Sequence, residues 1–251
     1  GMDIVPTTEE VTMEDDPATV FRRKKDTSMG VGLTMLREGQ GDALVSAGST
    51  GALLSGATLV VKRIRGIRRA AMAPVIPTTT GSAVLIDCGA TAEGTPEYLL
   101  QFAFMGAYYA RRFLGIENPR VGLLNIGTEP SKGMELQKAA HALLTQAHEA
   151  GRIRFVGNIE PRDIMAGEVD VIVCDGFVGN VVLKLTEGVA GTLLGMLKDI
   201  FMQSIVTKLC YLGVKGGLRN LKHMMDSEEI GGAPLLGAAK PAIKAHGSSK
   251  A

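Results

Sequence analysis

Three short stretches of this sequence combine glycine with side chains able to hold an anion. Ser46-Ala47-Gly48-Ser49-Thr50-Gly51 sets the hydroxyls of Ser49 and Thr50 between Gly48 and Gly51. Glycines let the backbone turn sharply there, and the free N–H groups of a following helix can point at a phosphate. The same residues also suit an ordinary strand-to-helix turn with an N-cap. Asn125-Ile126-Gly127-Thr128-Glu129-Pro130-Ser131-Lys132-Gly133 places Lys132 among small residues. Its ammonium can reach an anion across the loop, with Gly127 and Thr128 beside it, or it can simply be solvated. Asp175-Gly176-Phe177-Val178-Gly179-Asn180 flanks apolar residues with two glycines. Asp175 and Gly179 belong to the candidate binding loop. Asn180, at the expected helix start, can donate its amide N–H to a developing oxyanion or cap the helix.

Three further stretches carry charge. Arg22-Arg23-Lys24-Lys25-Asp26 lies ahead of a helix leading to the first glycine loop, so Lys25 is a candidate cation for the same anion. Lys62-Arg63-Ile64-Arg65-Gly66-Ile67-Arg68-Arg69 is a second basic cluster, with the chemistry to dock an acidic protein or to stay solvated. In Lys244-Ala245-His246-Gly247-Ser248-Ser249, His246 can exchange a proton near neutral pH, or the stretch can be a turn ordering the C-terminal segment.

Glycine loops of this kind need strands and helices to aim them. Apolar runs at 42–46, 83–87, 121–125, 153–156 and 169–174 read as strands. Helices are expected over 52–65, 96–113, with Pro96 in the first turn, and 134–150. This alternation predicts an α/β fold, a three-layer α/β/α sandwich on a mostly parallel sheet covered on both faces. Ligands on such sheets bind at the carboxyl ends of strands, so the loops should meet along one edge. The pattern changes at 190–228, where Leu193, Leu197, Ile200, Phe201, Ile205 and Leu209 recur at helical spacing. An amphipathic helical hairpin is expected there, with a glycine-rich break before Lys215, as an excursion from one domain spanning 1–251.

The bulk composition narrows the function classes. The 251 residues are 45% hydrophobic and 21% charged, which supports a packed core rather than disorder. A net charge of +1 gives no reason to expect nucleic acid. The three cysteines are far apart and form no C-x-x-C pair, as expected of reduced thiols in a cytoplasmic protein. His141 and His148 fit a solvated helix face better than a metal pair. The start shows no signal-peptide pattern, and no apolar run reaches the ~18 residues that would suggest a membrane span.

Taken together and in order, these motifs resemble the phosphate acyltransferase family of bacterial phospholipid synthesis. The matching stretches are RRKKD (22–26), SAGSTGAL (46–53), residues 73–77, DCGA (87–90), VGLLNIGTE (121–129), Lys132-Gly133, FVGN (155–158), DGFVGN (175–180), Gly231-Gly232-Ala233 and IKAHGSS (243–249). The resemblance implies a fold related to phosphotransacetylases and to isocitrate- and isopropylmalate-type dehydrogenases. It implies transfer of an acyl group from acyl carrier protein to inorganic phosphate, giving acyl phosphate for glycerophospholipid synthesis, with no cofactor and no metal. It further implies a homodimer, peripheral contact with the inner face of the membrane through the hairpin, and a glycerol-3-phosphate acyltransferase as partner. Lys132 and Asn180 match the residues that look catalytic in the family. Measured against the resemblance, this chain starts after an N-terminal strand with a DAMGGD-type loop and stops before a C-terminal helix.

Phosphate is then the nucleophile and a thioester carbonyl the electrophile. Lys132, Lys25 and the 48–51 loop would hold phosphate by proximity, Asn180 would stabilise the oxyanion, and His246 would protonate the leaving thiolate. Three other readings share features with this one. A phosphotransacylase using acyl-CoA has the same chemistry. A decarboxylating dehydrogenase would need Mg²⁺-binding acids, and no tight Asp cluster stands in the sequence. A non-catalytic scaffold could recruit carrier protein to the membrane.

Overall fold

The computed structural model describes residues 1–12, 14–91, 93–225 and 232–245. It is an α/β protein whose strands divide between two sheets. The larger sheet has the order β3-β4-β7-β5-β6, formed by Val75–Thr78, Gly81–Ile86, Val171–Val173, Arg120–Leu124 and Arg154–Ile159. The last four run parallel, while β3 pairs antiparallel with β4 as a hairpin. Alternate residues of these apolar strands serve opposite faces. Val84, Ile86, Val121, Leu123, Val171 and Val173 pack on one side with Phe102 and Leu144, from helices α4 (Pro96–Phe113) and α5 (Glu135–Glu149). Leu85 and Ile172 face the other way, into a core with Leu33 and Leu36 of α2 (Ser28–Glu38) and Leu53 of α3 (Thr50–Gly56).

The first strand, β1 (Leu44–Ser46), does not join that sheet. It lies in a smaller one, order β1-β9-β8-β2, with β9 (Ala242–Lys244), β8 (Ala233–Leu236) and β2 (Ala71–Met72). Of the five expected strands, four join the larger, mostly parallel sheet and only the first belongs to the smaller one. The 233–244 segment supplies two short strands, β8 and β9, to this smaller sheet. The chain passes directly from β2 into β3, so the sheets are joined edge to edge through residues 71–78.

The helices follow the expected positions with corrections at two places. The helix after the first glycine loop starts at Thr50 and changes at Ala57 to a π-helical turn ending at Val61, short of the expected 65. The hairpin is no separate excursion over 190–228. Its first arm, α6 (Gly176–Met202), begins as the helix following β7 and overshoots the sheet, and its second, α7 (Ile205–Met225), runs through Gly213, Gly216 and Gly217 without a break. By length and hydropathy, α6 also meets the requirements of a membrane-crossing helix, contrary to the sequence expectation.

Candidate functional site

The parallel strands β4, β7 and β5 end on one edge, and the first two of their loops meet the smaller sheet there around a cavity of about 210 Å³. Thr50, Gly89, Asn180, Lys184, Glu187 and Lys244 line it, with Met72 and Leu183 among the apolar walls. They come from the first glycine loop with β9, the loop after β4, and the head of α6.

Thr50 reaches the cavity because β9 holds the first glycine loop in place. β1 and β9 pair in parallel, the Ala245 N–H donates to the Ser46 carbonyl at 3.0 Å, and Lys244 Nζ donates to the Ala47 carbonyl at 3.4 Å. Ser49 caps α3, accepting from the Ala52 N–H at 3.4 Å. Gly48 and Gly51 are fixed by packing, against the Met29 and Pro17 side chains respectively.

The loop after β4 is organised by Asp87, which is 0% exposed. Its Oδ1 accepts from the Met72, Cys88 and Ala90 N–H groups at 2.9, 2.7 and 3.2 Å. Those bonds shape the wall that Met72, Cys88 and Gly89 present to the cavity. Burial pushes the Asp87 carboxyl up to about 6, against the opposing pull of these N–H donors. Its second oxygen, Oδ2, is buried and without a hydrogen-bond partner among the described residues. Burial also pushes the thiols of Cys88 and Cys174 up, so they are inert protonated groups rather than nucleophiles.

Asn180 is aimed by the head of α6. The cap is Asp175, whose carboxylate accepts from the Phe177 and Val178 N–H groups, both at 3.0 Å. The helix therefore starts at Gly176, and Asn180 stands in its second turn rather than at its cap. Gly179 allows the helix to lie against the end of β4, where any Cβ would collide with the Asp87 carbonyl oxygen. Asn180 then projects past Gly89, 3.8 Å from its Cγ to the place a Gly89 Cβ would occupy. One turn further along α6, Lys184 faces the same space.

Electrostatically the cavity carries an excess of positive charge. Lys184 Nζ pairs with Glu187 Oε2 at 2.7 Å. The Lys244 ammonium has its pKa lowered, first by burial and then by the Lys184 charge. Two ammonium groups and one carboxylate, paired with Lys184 alone, line the cavity, so an entering anion would meet uncompensated charge at Lys244 and a hydroxyl at Thr50.

Several of the expected site residues lie elsewhere or do other work. Lys132 is exposed and does not line the cavity. Its loop lies on the same strand-end edge, after β5, and folds its aliphatic stem over Gly127. Asn125 holds that loop, donating to the Lys132 carbonyl at 3.0 Å, and Asn158 donates to the Glu129 carbonyl at 2.8 Å. Thr128 is exposed on the same loop, and Gly127 is buried beneath the Lys132 stem. Lys25 stands exposed beside Lys24, which pairs with Asp15 at 2.7 Å, and is not among the cavity's lining residues. Asp175 is a correction: its carboxylate is engaged in capping α6, where a second anion would be repelled. Gly179 is likewise a packing residue. His246 lies outside the described residues.

Reading the sequence missed Lys184, Lys244 and Asp87. Had Asp175 been recognised as the cap, Asn180, Lys184 and Glu187 would have fallen at i, i+4 and i+7 on one helix face. No sequence signal places Lys244 beside residue 47; that needs the β1–β9 pairing.

Comparison with known proteins gives a consistent picture. The family model described as fatty acid synthesis protein matches residues 1–251. A phosphate acyltransferase of Thermoanaerobacterium thermosaccharolyticum is 48% identical over 250 residues, covering 100% of this chain and 74% of the relative. One from Lysinibacillus sphaericus is 51% identical over 249 residues, covering 99% and 74%. Among solved structures, a phosphotransacetylase from Staphylococcus aureus shares the fold at 18% identity and a TM-score of 0.57, covering 87% of this chain and 61% of the other. A branched-chain phosphotransacylase from Enterococcus faecalis V583 does so at 16% and 0.53, covering 86% and 71%.

Proposed function

Because the chain belongs to the phosphate acyltransferase family, a family of acyltransferases, we propose that it moves an acyl group from acyl carrier protein to inorganic phosphate. The observation that carries this reading is the convergence of Thr50, Asn180, Lys184 and Lys244 on one cavity with excess positive charge. Phosphate sits between the two ammonium groups and the Thr50 hydroxyl. One of its oxygens attacks the thioester carbonyl carbon. The carbonyl π pair moves onto oxygen, where the Asn180 amide donates a hydrogen bond. Collapse expels the thiolate with its bonding pair, and a proton completes the free thiol. His246 belongs to the motif that enters the site through Lys244, and it remains the proposed proton donor. Lys132 acts from the neighbouring loop of the rim as a further cation.

No enzyme nucleophile is required, since phosphate is already anionic. The protein's contribution is to hold it against like charge and to aim it. The acyl phosphate product would feed glycerophospholipid synthesis through a glycerol-3-phosphate acyltransferase. The proposal includes a homodimer working at the cytoplasmic face of the membrane. Its support is the apolar exterior of α6 and α7, where Leu193, Met196, Ile205 and Leu209 are 50, 57, 78 and 64% exposed.

The test is acyl phosphate formation by the purified chain, trapped with hydroxylamine, from acyl carrier protein thioester and from acyl-CoA. Turnover should favour the carrier-protein thioester. Asn180→Ala should lower kcat by about 10²–10³-fold with the circular dichroism spectrum unchanged. Lys244→Ala should raise the KM for phosphate. Wild-type kinetics in both variants would remove the assignment.

A further inference from the structure

The basic loop at 62–69, between the end of α3 and β2, takes no part in the chemistry above. Lys62, Arg63, Arg65 and Arg68 are exposed, and no acidic residue interrupts the run. None of these cations forms an ion pair among the described residues. Glu97 nearby feels Arg68 only as the weakest of the influences holding its carboxyl low, behind its own backbone N–H and the Thr95 hydroxyl.

A run of charge that needed only water would have no reason to be held in one shape, yet this loop is fastened from three sides. The α4 side chain of Gln101 accepts from the Arg68 N–H at 2.8 Å and donates to the Gly66 carbonyl at 3.0 Å. From the β8 side, the Gly237 carbonyl accepts from the Ile64 N–H and the Ala239 N–H donates to the Lys62 carbonyl, both at 2.9 Å. Arg69 donates to Thr91 Oγ1 and to the Ala90 carbonyl, each at 3.1 Å. At the loop's centre Ile64 is 53% exposed, an apolar anchor ringed by cations. A preformed surface of this kind loses little conformational freedom when a partner docks.

The loop is also next to the site. Arg69 holds Ala90, the neighbour of Gly89 in the cavity wall, and β2 carries the chain from Arg69 to Met72 in that wall, about 10 Å of extended backbone. We propose that the 62–69 loop is the docking surface for an acidic protein that presents the acyl group on a thioester-bearing arm. The proposal rests on the reading that acyl carrier protein is the donor. The cations steer the carrier by long-range attraction, and Ile64 meets its apolar surface once it arrives.

The test uses Lys62→Glu/Arg65→Glu in the full chain, since both side chains point outward and hold none of the loop's hydrogen bonds. At low salt the KM for acyl carrier protein should rise on the order of tenfold with kcat unchanged. The KM values for phosphate and for acyl-CoA should stay at wild type, and added salt should weaken carrier use by the wild type more than by the variant. The neutral pair Lys62→Gln/Arg65→Gln should shift the carrier KM in the same direction by less. An unchanged carrier KM in an enzyme that does turn over the carrier thioester overturns the docking surface and leaves the proposed function standing. No turnover of that thioester by the wild type overturns both. An equal rise in KM for acyl-CoA shows damage to the cavity and overturns the proposal. Loss of binding to anionic phosphatidylglycerol vesicles with the carrier KM intact assigns the loop to the membrane instead, and overturns it as well.

Discussion

The head of α6 and the rest of that helix use the same residue types in opposite surroundings. At the head, Gly179 lies against the Asp87 carbonyl and Gly176 against the backbone of Thr91, and Asp175 ties off the first N–H groups. Further along, Gly188, Gly191 and Gly195 have nothing within 4 Å of where a Cβ would stand, and Val189, Leu193 and Ile200 are about half exposed. One end is determined by close packing that aims Asn180 and Lys184 into the cavity. The other has an apolar surface that the single chain leaves uncovered. Glycine in the first region is a requirement of contact, and in the second it only lowers helix stability.

Alanine substitution separates the two regions most sharply. Gly179→Ala should cost about 3 kcal/mol or more in urea unfolding, because the new methyl meets backbone that cannot give way, and activity should fall with it. A melt and a turnover number close to wild type would break the comparison. Asp87→Asn tests the support beneath that head. The folded pKa of Asp87, about 6, lies above its ordinary 3.8, so the folded state binds the proton more tightly. Its contribution to stability is fully present below the unfolded value and lost as pH rises through 6, a span worth about 3 kcal/mol. The stability of the wild type relative to Asp87→Asn should therefore grow as pH falls from 7 to 4. A difference that stays flat with pH would show that Asp87 is not the proton-binding group. Asp15, Asp16 and Asp170, whose carboxyls are held low, pull both proteins the other way and cancel in that difference.

Effects on the distal length of α6 should be smaller and of other kinds. Gly188→Ala should stabilise the protein by up to ~1 kcal/mol, the opposite sign to Gly179→Ala. Serine at Leu193, Ile200 and Leu209 together should change monomer stability by less than ~0.5 kcal/mol per site while releasing the protein from lipid vesicles or from its dimer. Leu197 and Phe201, prominent in the sequence pattern, are poorer probes because they are partly buried, Phe201 against Tyr211 at 5.6 Å between ring centroids. Intact vesicle binding together with an intact dimer would leave that face without the role proposed for it.

The same division explains what could be read from the residues alone. α4 was legible to the residue, since Thr95 caps it, Pro96 opens it and a buried stripe of Leu99, Phe102, Ala103, Gly106 and Ala110 runs along it. β4 and β5 were legible as continuous apolar runs. Most of the smaller sheet was not: β1 falls within the run read at 42–46, but β9 has three residues and β2 two, too few to show any period, and they exist through their pairing. The site followed suit. Thr50 and Asn180 stand in local motifs that the sequence displays, and both line the cavity. Lys184 was hidden by reading 175–180 as a loop when Asp175 begins a helix immediately. Lys244 was overshadowed by its neighbour His246, since only tertiary pairing brings it beside Ala47.

The central claim is that phosphate is held where the two sheets meet. A crystal of the protein grown in phosphate and solved with the anion in place tests it most directly. The account predicts phosphorus between the ammonium groups of Lys184 and Lys244, with an oxygen on the Thr50 hydroxyl and Asn180 alongside. Phosphate bound at the Lys132 loop with that cavity empty would contradict it.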